Sequence, residues 1–143
     1  MSLQGSSINL LLVEDDEIDI KTIQRSIAEL KLLNPLVVAR DGIEGLEYLR
    51  GENGKLKVEG PRVVLLDLNM PRMGGLEFLE EVRKDPDLHS TVIFVLTTSD
   101  ADQDIVSAYE NNVAGYIVKS DSTASFVEAI RLIDFYWTIV QLP

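Results

Sequence analysis

At 143 residues the chain is long enough for one domain with a full core. It has no cysteine, which excludes disulfides, thiolate metal sites and a cysteine nucleophile. With 13 Lys+Arg against 24 Asp+Glu the formal charge is −11, the wrong sign for gripping phosphate backbones, so nucleic acid is not an expected partner.

Met1–Ser7 is polar and uncharged, carries no recognisable cleavable signal, and is set aside as a disordered segment or expression remnant. The domain is read as 8–143. Ile8–Val13 is the first apolar run. A helix is predicted from Asp16 to Leu33, with Ile20, Ile23, Ile27 and Leu30 at helical spacing and a left-handed stop at Asn34-Pro35. Leu36–Ala39 is the second run, and Asp41-Gly42 opens a helix carrying Ile43, Leu46 and Leu49. Residues 51–61, rich in Gly, Lys and Glu, read as an exposed loop. Val63–Leu66 is the third run. A turn at 71–75 leads into a helix with Leu76, Leu79 and Val82, broken at Asp85-Pro86. Val92–Leu96 is the fourth run, followed by a helix through Ile105 and Ala108. Tyr116–Val118 is the fifth, and a long helix fills 122 to about 140.

None of these runs approaches the ~20 residues of a membrane span, and a cytoplasmic protein is expected. Apolar strands alternating with amphipathic helices predict a doubly wound α/β fold whose parallel sheet is covered on both faces.

In such sheets ligands bind beyond the carboxyl ends of the strands, so the residues just past each run point to the site. The first run ends in Glu14-Asp15-Asp16, the third in Asp67-Leu68-Asn69, the fourth in Thr97-Thr98-Ser99 and the fifth in Lys119. Converging carboxylates repel, and a hard divalent cation such as Mg²⁺ removes that cost through oxygen ligands. Asp15 and Asp67 are the expected direct ligands, Glu14 can hold a metal-bound water, and a main-chain carbonyl near Asn69 can add a ligand; Mn²⁺ is an alternative ion. Asp16 is better read as a plain helix start, since acids favour helix N-termini. His89, the single histidine, sits in a polar loop and receives no role.

Four segments, Leu12–Asp16, Leu65–Pro71 with Gly74-Gly75, Leu96–Thr98 and Gly115–Lys119, together resemble the receiver domain of two-component response regulators. The resemblance covers about Ile8 to Val140. It implies a flavodoxin-like five-stranded sheet in the order 2-1-3-4-5 with five helices. It further implies that Asp67 accepts a phosphoryl group from the phosphohistidine of a sensor histidine kinase, that Glu14 and Asp15 bind Mg²⁺, and that Lys119 pairs with the phosphoryl group. Thr97 matches the switch hydroxyl and Tyr116 the aromatic that moves with it. Asn69, Thr98 and Ser99 match positions that tune phosphoryl lifetime. The resemblance implies a signalling switch with self-directed chemistry, not a turnover enzyme.

The chain is similar, more finely, to stand-alone regulators associated with bacterial phytochrome-type kinases, through the long loop 51–61 and the ending Phe135-Tyr136-Trp137 with Leu142-Pro143. One departure stands out. Ser120 follows Lys119, where most receivers have proline. This leaves a docking module that takes no phosphate as a rival reading. A haloacid-dehalogenase-like phosphohydrolase is a weaker rival, because that chemistry wants an aspartate where Asn69 stands. In the last helix Leu132, Phe135, Tyr136 and Ile139 widen the apolar arc beyond what one sheet face needs, which favours a homodimer through this surface. A downstream protein target is also expected.

Overall fold

A computed structural model describes residues 8–29, 31, 34–68, 70, 72–97, 112–118, 128–129, 131–132 and 135, with the backbone alone at 97 and 118. Its elements are β1 (Asn9–Val13), α1 (Glu17–Glu29), β2 (Leu36–Ala39), α2 (Gly42–Arg50), β3 (Arg62–Asp67), α3 (Gly75–Lys84), β4 (Val92–Thr97) and β5 (Gly115–Val118). Glu128, Ala129, Arg131, Leu132 and Phe135 are also helical, within the stretch expected for the last helix. The helix expected through Ile105 and Ala108 lies outside the described residues.

All strand pairs are parallel and the order is β2-β1-β3-β4-β5, as expected. Strand residues alternate between two apolar layers. Leu11, Val13, Val64, Leu66, Ile93 and Val95 pack with Leu46 and Leu49 of α2 and Phe78, Leu79 and Val82 of α3. Leu10, Leu12, Val63, Leu65, Leu96 and Ile117 pack with Ile20, Ile23 and Ile27 of α1, and Ala129 joins this layer. Because both faces are covered, β1, β3 and β4 read as unbroken apolar runs. Each fully buried side chain of this kind contributes about 1.5–3 kcal/mol.

Local chemistry sets the helix ends. Asp16 Oδ1 accepts from the amides of Ile18 at 2.8 Å and Asp19 at 3.3 Å, so this acid is the start of α1, as the sequence implied. Asp41 caps α2 by accepting from Glu44 N at 2.9 Å. Gly51 closes α2 in the left-handed conformation at φ 71°, and the amides of Gly51 and Glu52 both donate to Glu47 O.

Three expectations change. Helix α1 ends at Glu29 rather than Leu33, and the left-handed residue is Lys31 at φ 54°. Asn34 is not the cap: it is buried and its side-chain amide donates to Ile8 O at 3.1 Å, tying the chain to the start of β1. The loop 51–61 is exposed over most of its length, as expected, but not throughout. Val58 is buried, its amide donates to Tyr48 O at 2.9 Å, and Lys55 pairs with Glu47 at 3.2 Å while lying 5.5 Å from the Tyr48 ring centre. The loop is thus pinned against α2.

At the far end of the sheet, the Arg83 guanidinium donates to the carbonyls of His89, Thr91 and Asn112 at 2.8–3.0 Å. One planar fork therefore joins the end of α3 to the entries of β4 and β5.

Candidate functional site

The strand register determines which residues meet at the carboxyl edge. Val13 pairs with Leu66, and Asp67 pairs with Leu96. Glu14, the next residue after Val13, is therefore level with Asp67. Thr97 pairs with Val118, which puts the ends of β4 and β5 on the same edge.

Glu14, Asp15 and Asp67 come together there. Each offers a carboxylate oxygen, and the three atoms lie within 4.8 Å of one another. Their exposures differ. Glu14 is wholly buried, Asp67 half-buried and Asp15 exposed. The Glu14 backbone is anchored by its amide donating to Ala39 O at 2.9 Å, and its Oε2 accepts from Asp16 N at 3.2 Å. The donor set fits a hard divalent cation: it is all oxygen, acidic and graded from interior to solvent. Three carboxylates this close, one of them in the interior, carry a cost that such a cation offsets. The exposed side at Asp15 leaves coordination positions for water.

The loop after Asp67 is drawn tight. Gly75 N donates to Leu68 O at 3.0 Å, and a Cβ on Gly75 would sit 2.5 Å from Leu68 Cα and 2.7 Å from Asp67 O. Only glycine lets the start of α3 approach this closely.

The same loop is fastened to the start of α2. Met73 O accepts from Gly42 N at 3.0 Å, and Arg72 Nε lies 2.6 Å from Asp41 Oδ2. Burial alone would raise the Asp41 carboxyl. The Arg72 bond and the capping amides of Glu44 and Ile43 outweigh it and hold Asp41 below the usual carboxylate range. In the sequence Asp41 shows only as a helix opener, and Arg72 does not stand out. The Asp-Gly cap signature is visible there, but its arginine partner is 31 residues away.

Among the other expected site residues, Thr97 is placed by its backbone at the edge. Tyr116 is half-buried against the α2–α3 layer. Leu132 and Phe135 are 58% and 61% exposed. Asn69, Thr98, Ser99, Lys119, Ser120, Tyr136 and Ile139 lie outside the described residues. No helix among the described residues is long and apolar enough to cross a membrane.

The strand order defines a flavodoxin-like α/β fold, with the acidic cluster at the carboxyl edge of its sheet. The response regulator receiver domain family matches residues 10–131, and the chain belongs to that family, within two-component signalling. It is 32% identical over 135 residues to the response regulator Rcp1 of Synechocystis sp., covering 94% of this chain and 92% of that protein. The crystal structure of the phosphorylated cyanobacterial phytochrome response regulator RcpA superposes with a TM-score of 0.84 at 35% identity, over 96% of this chain and 99% of that one. The Mn²⁺-bound form of Rcp1 superposes with a TM-score of 0.79 at 30% identity, over 95% and 99%.

Proposed function

We propose that this receiver domain is a Mg²⁺-dependent phosphoryl switch whose acceptor is Asp67 and whose donor is the phosphohistidine of a sensor histidine kinase. The observation that carries the reading is the cluster of Glu14, Asp15 and Asp67 within 4.8 Å at the carboxyl edge of the sheet. A relative that is a phosphorylated phytochrome response regulator, and another with Mn²⁺ bound, support both halves of it and favour a phytochrome-type kinase as partner.

Asp15 and Asp67 would hold the cation directly, with Glu14 behind them on its water and a main-chain carbonyl near Asn69 completing the set. A cation held there would supply positive charge to offset that of the phosphoryl oxygens. An Asp67 carboxylate oxygen forms the new P–O bond as the P–N bond to the donor imidazole breaks. Lys119 and the Thr97 hydroxyl, the family's matching positions, would take up the phosphoryl charge. Hydrolysis of the acyl phosphate returns the free carboxylate and inorganic phosphate. Tyr116, on β5 and half-buried, carries the change toward the surface that a downstream protein reads. Asn69, Thr98 and Ser99 set how long the phosphoryl group lasts. The exposed Leu132 and Phe135, one helical turn apart, support a homodimer through the last helix with Tyr136 and Ile139. Light scattering on Phe135→Glu is expected to give the monomer mass; an undiminished dimer mass would count against that surface.

Incubation with acetyl phosphate or phosphoramidate and Mg²⁺, followed by intact mass spectrometry, tests the switch. The expected result is a gain of one phosphoryl group. Absence of any adduct, with the cognate kinase or small donors, would favour a docking role, for which Ser120 after Lys119 is the supporting feature. Rapid turnover of added phosphate esters would favour the hydrolase.

A further inference from the structure

The proposed cation site draws its carboxylates from two separate parts of the chain. Glu14 and Asp15 follow β1, and Asp67 ends β3. The β1–β3 pairing already brings Glu14 level with Asp67. Two further fastenings hold the loop that follows Asp67 relative to the end of β1. On one side, Glu14 N donates to Ala39 O at 2.9 Å, fixing the end of β1 to the end of β2. On the other, Asp41 and Gly42, two and three residues beyond Ala39, grip the loop after Asp67 through the Asp41–Arg72 pair at 2.6 Å and the Gly42 N to Met73 O bond at 3.0 Å. A Cβ on Gly42 would sit 2.6 Å from Met73 Cγ, so the contact is close along its length. Arg72 itself adopts a left-handed φ of 59°, a conformation a bulky residue keeps only when something holds it.

Asp41 is suited to the task. Its side chain is about 10% exposed, and both oxygens are engaged, Oδ1 by Glu44 N and Oδ2 by Arg72 Nε. The helix cap fixes the carboxylate, and the carboxylate then fixes the arginine.

We propose that Asp41 and Arg72 are positioning residues of the cation site: their ion pair braces the loop after Asp67 against α2 and so steadies the Asp67 carboxylate that the β1–β3 pairing brings level with Glu14. The inference rests on the reading of the acidic cluster as a divalent-cation site. Neither residue touches the ion.

Charge and geometry make opposite predictions for one variant. If only the summed field mattered, Arg72→Ala would remove a positive charge and strengthen cation binding, while Asp41→Asn would weaken it. If the brace matters, both weaken it. Asparagine caps a helix about as well as aspartate, so Asp41→Asn keeps the start of α2. Arg72 is 57% exposed, so its truncation leaves the core untouched.

The test is calorimetric titration of the full chain with Mn²⁺. Asp41→Asn and Arg72→Ala are each expected to weaken binding by roughly tenfold, the low end for residues that orient metal ligands. The double variant is expected to be no weaker than either single one, and Arg72→Lys to recover part of the loss. Asp85→Asn, which breaks the Arg50–Asp85 pair at 3.1 Å between the ends of α2 and α3, is expected to bind like wild type. Tighter binding by Arg72→Ala, wild-type affinity in both single variants, multiplied losses in the double variant, or an equal loss in Asp85→Asn would each overturn the brace while leaving the cation site standing. A wild-type protein that takes up no Mn²⁺ would overturn the site and the brace together.

Discussion

Asp67→Asn is expected to melt higher than wild type in chelator and lower than wild type in excess Mg²⁺, and to accept no phosphoryl group. The change of sign comes from the crowding of Glu14, Asp15 and Asp67 within 4.8 Å. Without a cation the three carboxylates repel, and an isosteric amide removes one of them. The relief is on the order of 1 kcal/mol once solvent at Asp15 screens the pairs. For a chain of this size that is roughly 2–4 °C. With a cation at 100 times its dissociation constant, wild type gains about 2.7 kcal/mol, which the variant loses in large part along with a ligand. Melting curves in EDTA and in Mg²⁺ should therefore cross over. Wild type above the variant in both buffers would mean that Asp67 stabilises the fold by some other contact, and that the crowding is not a cost awaiting an ion.

A second large effect is expected from two adjacent glycines. Gly75→Ala places a Cβ 2.5 Å from Leu68 Cα and 2.7 Å from Asp67 O, and backbone on both sides leaves nothing soft to give way. Overpacking of this kind costs about 1–3 kcal/mol. The strain falls on Asp67 itself, so the phosphorylation rate should drop by about tenfold to a hundredfold, as for displacements near 1 Å at a reacting group. Gly74→Ala is the control. Gly74 has φ −74°, which any residue adopts, and its added Cβ meets only Leu68 O at 3.6 Å. It should melt and react close to wild type. Stopped reactions with acetyl phosphate and a thermal melt on each variant settle the comparison; equal rates in the two would remove the role assigned to the Leu68–Gly75 closure.

Much of this architecture is legible in the sequence because the strands are buried on both faces. Five short apolar runs stand out against polar surroundings, and the residue that ends each run falls on the ligand edge by topology alone. Glu14, Asp15 and Asp67 can be found that way, and their convergence needs only the order 2-1-3-4-5. Helix starts are legible for the same local reason, since Asp16 and Asp41 precede their helices as capping residues.

The hidden features depend on partners far along the chain. Helix α1 stops at Glu29 because the turn at Lys31 and the Asn34–Ile8 bond decide the exit, and propensity says nothing of Ile8. Phe78 is wholly buried in α3, yet the apolar stripe expected for that helix runs through Leu76, which is only partly buried. The space for Phe78 comes from Gly45 on α2, where a Cβ would meet the ring at 2.8 Å. Val58 is buried because Tyr48 O and the Lys55 ion pairs pull its loop onto α2. Arg72 gives no signal at all, because an arginine in a loop is ordinary until the fold places Asp41 beside it.

The proposed switch would depend above all on the three clustered carboxylates at one edge of the sheet holding a divalent cation beside Asp67 as acceptor. Crystals grown with Mn²⁺ and measured for anomalous scattering address this directly. The predicted result is one strong peak about 2.1 Å from carboxylate oxygens of Asp15 and Asp67, with Glu14 in reach through water. A peak held by other carboxylates, or none at this edge at saturating Mn²⁺, would contradict it.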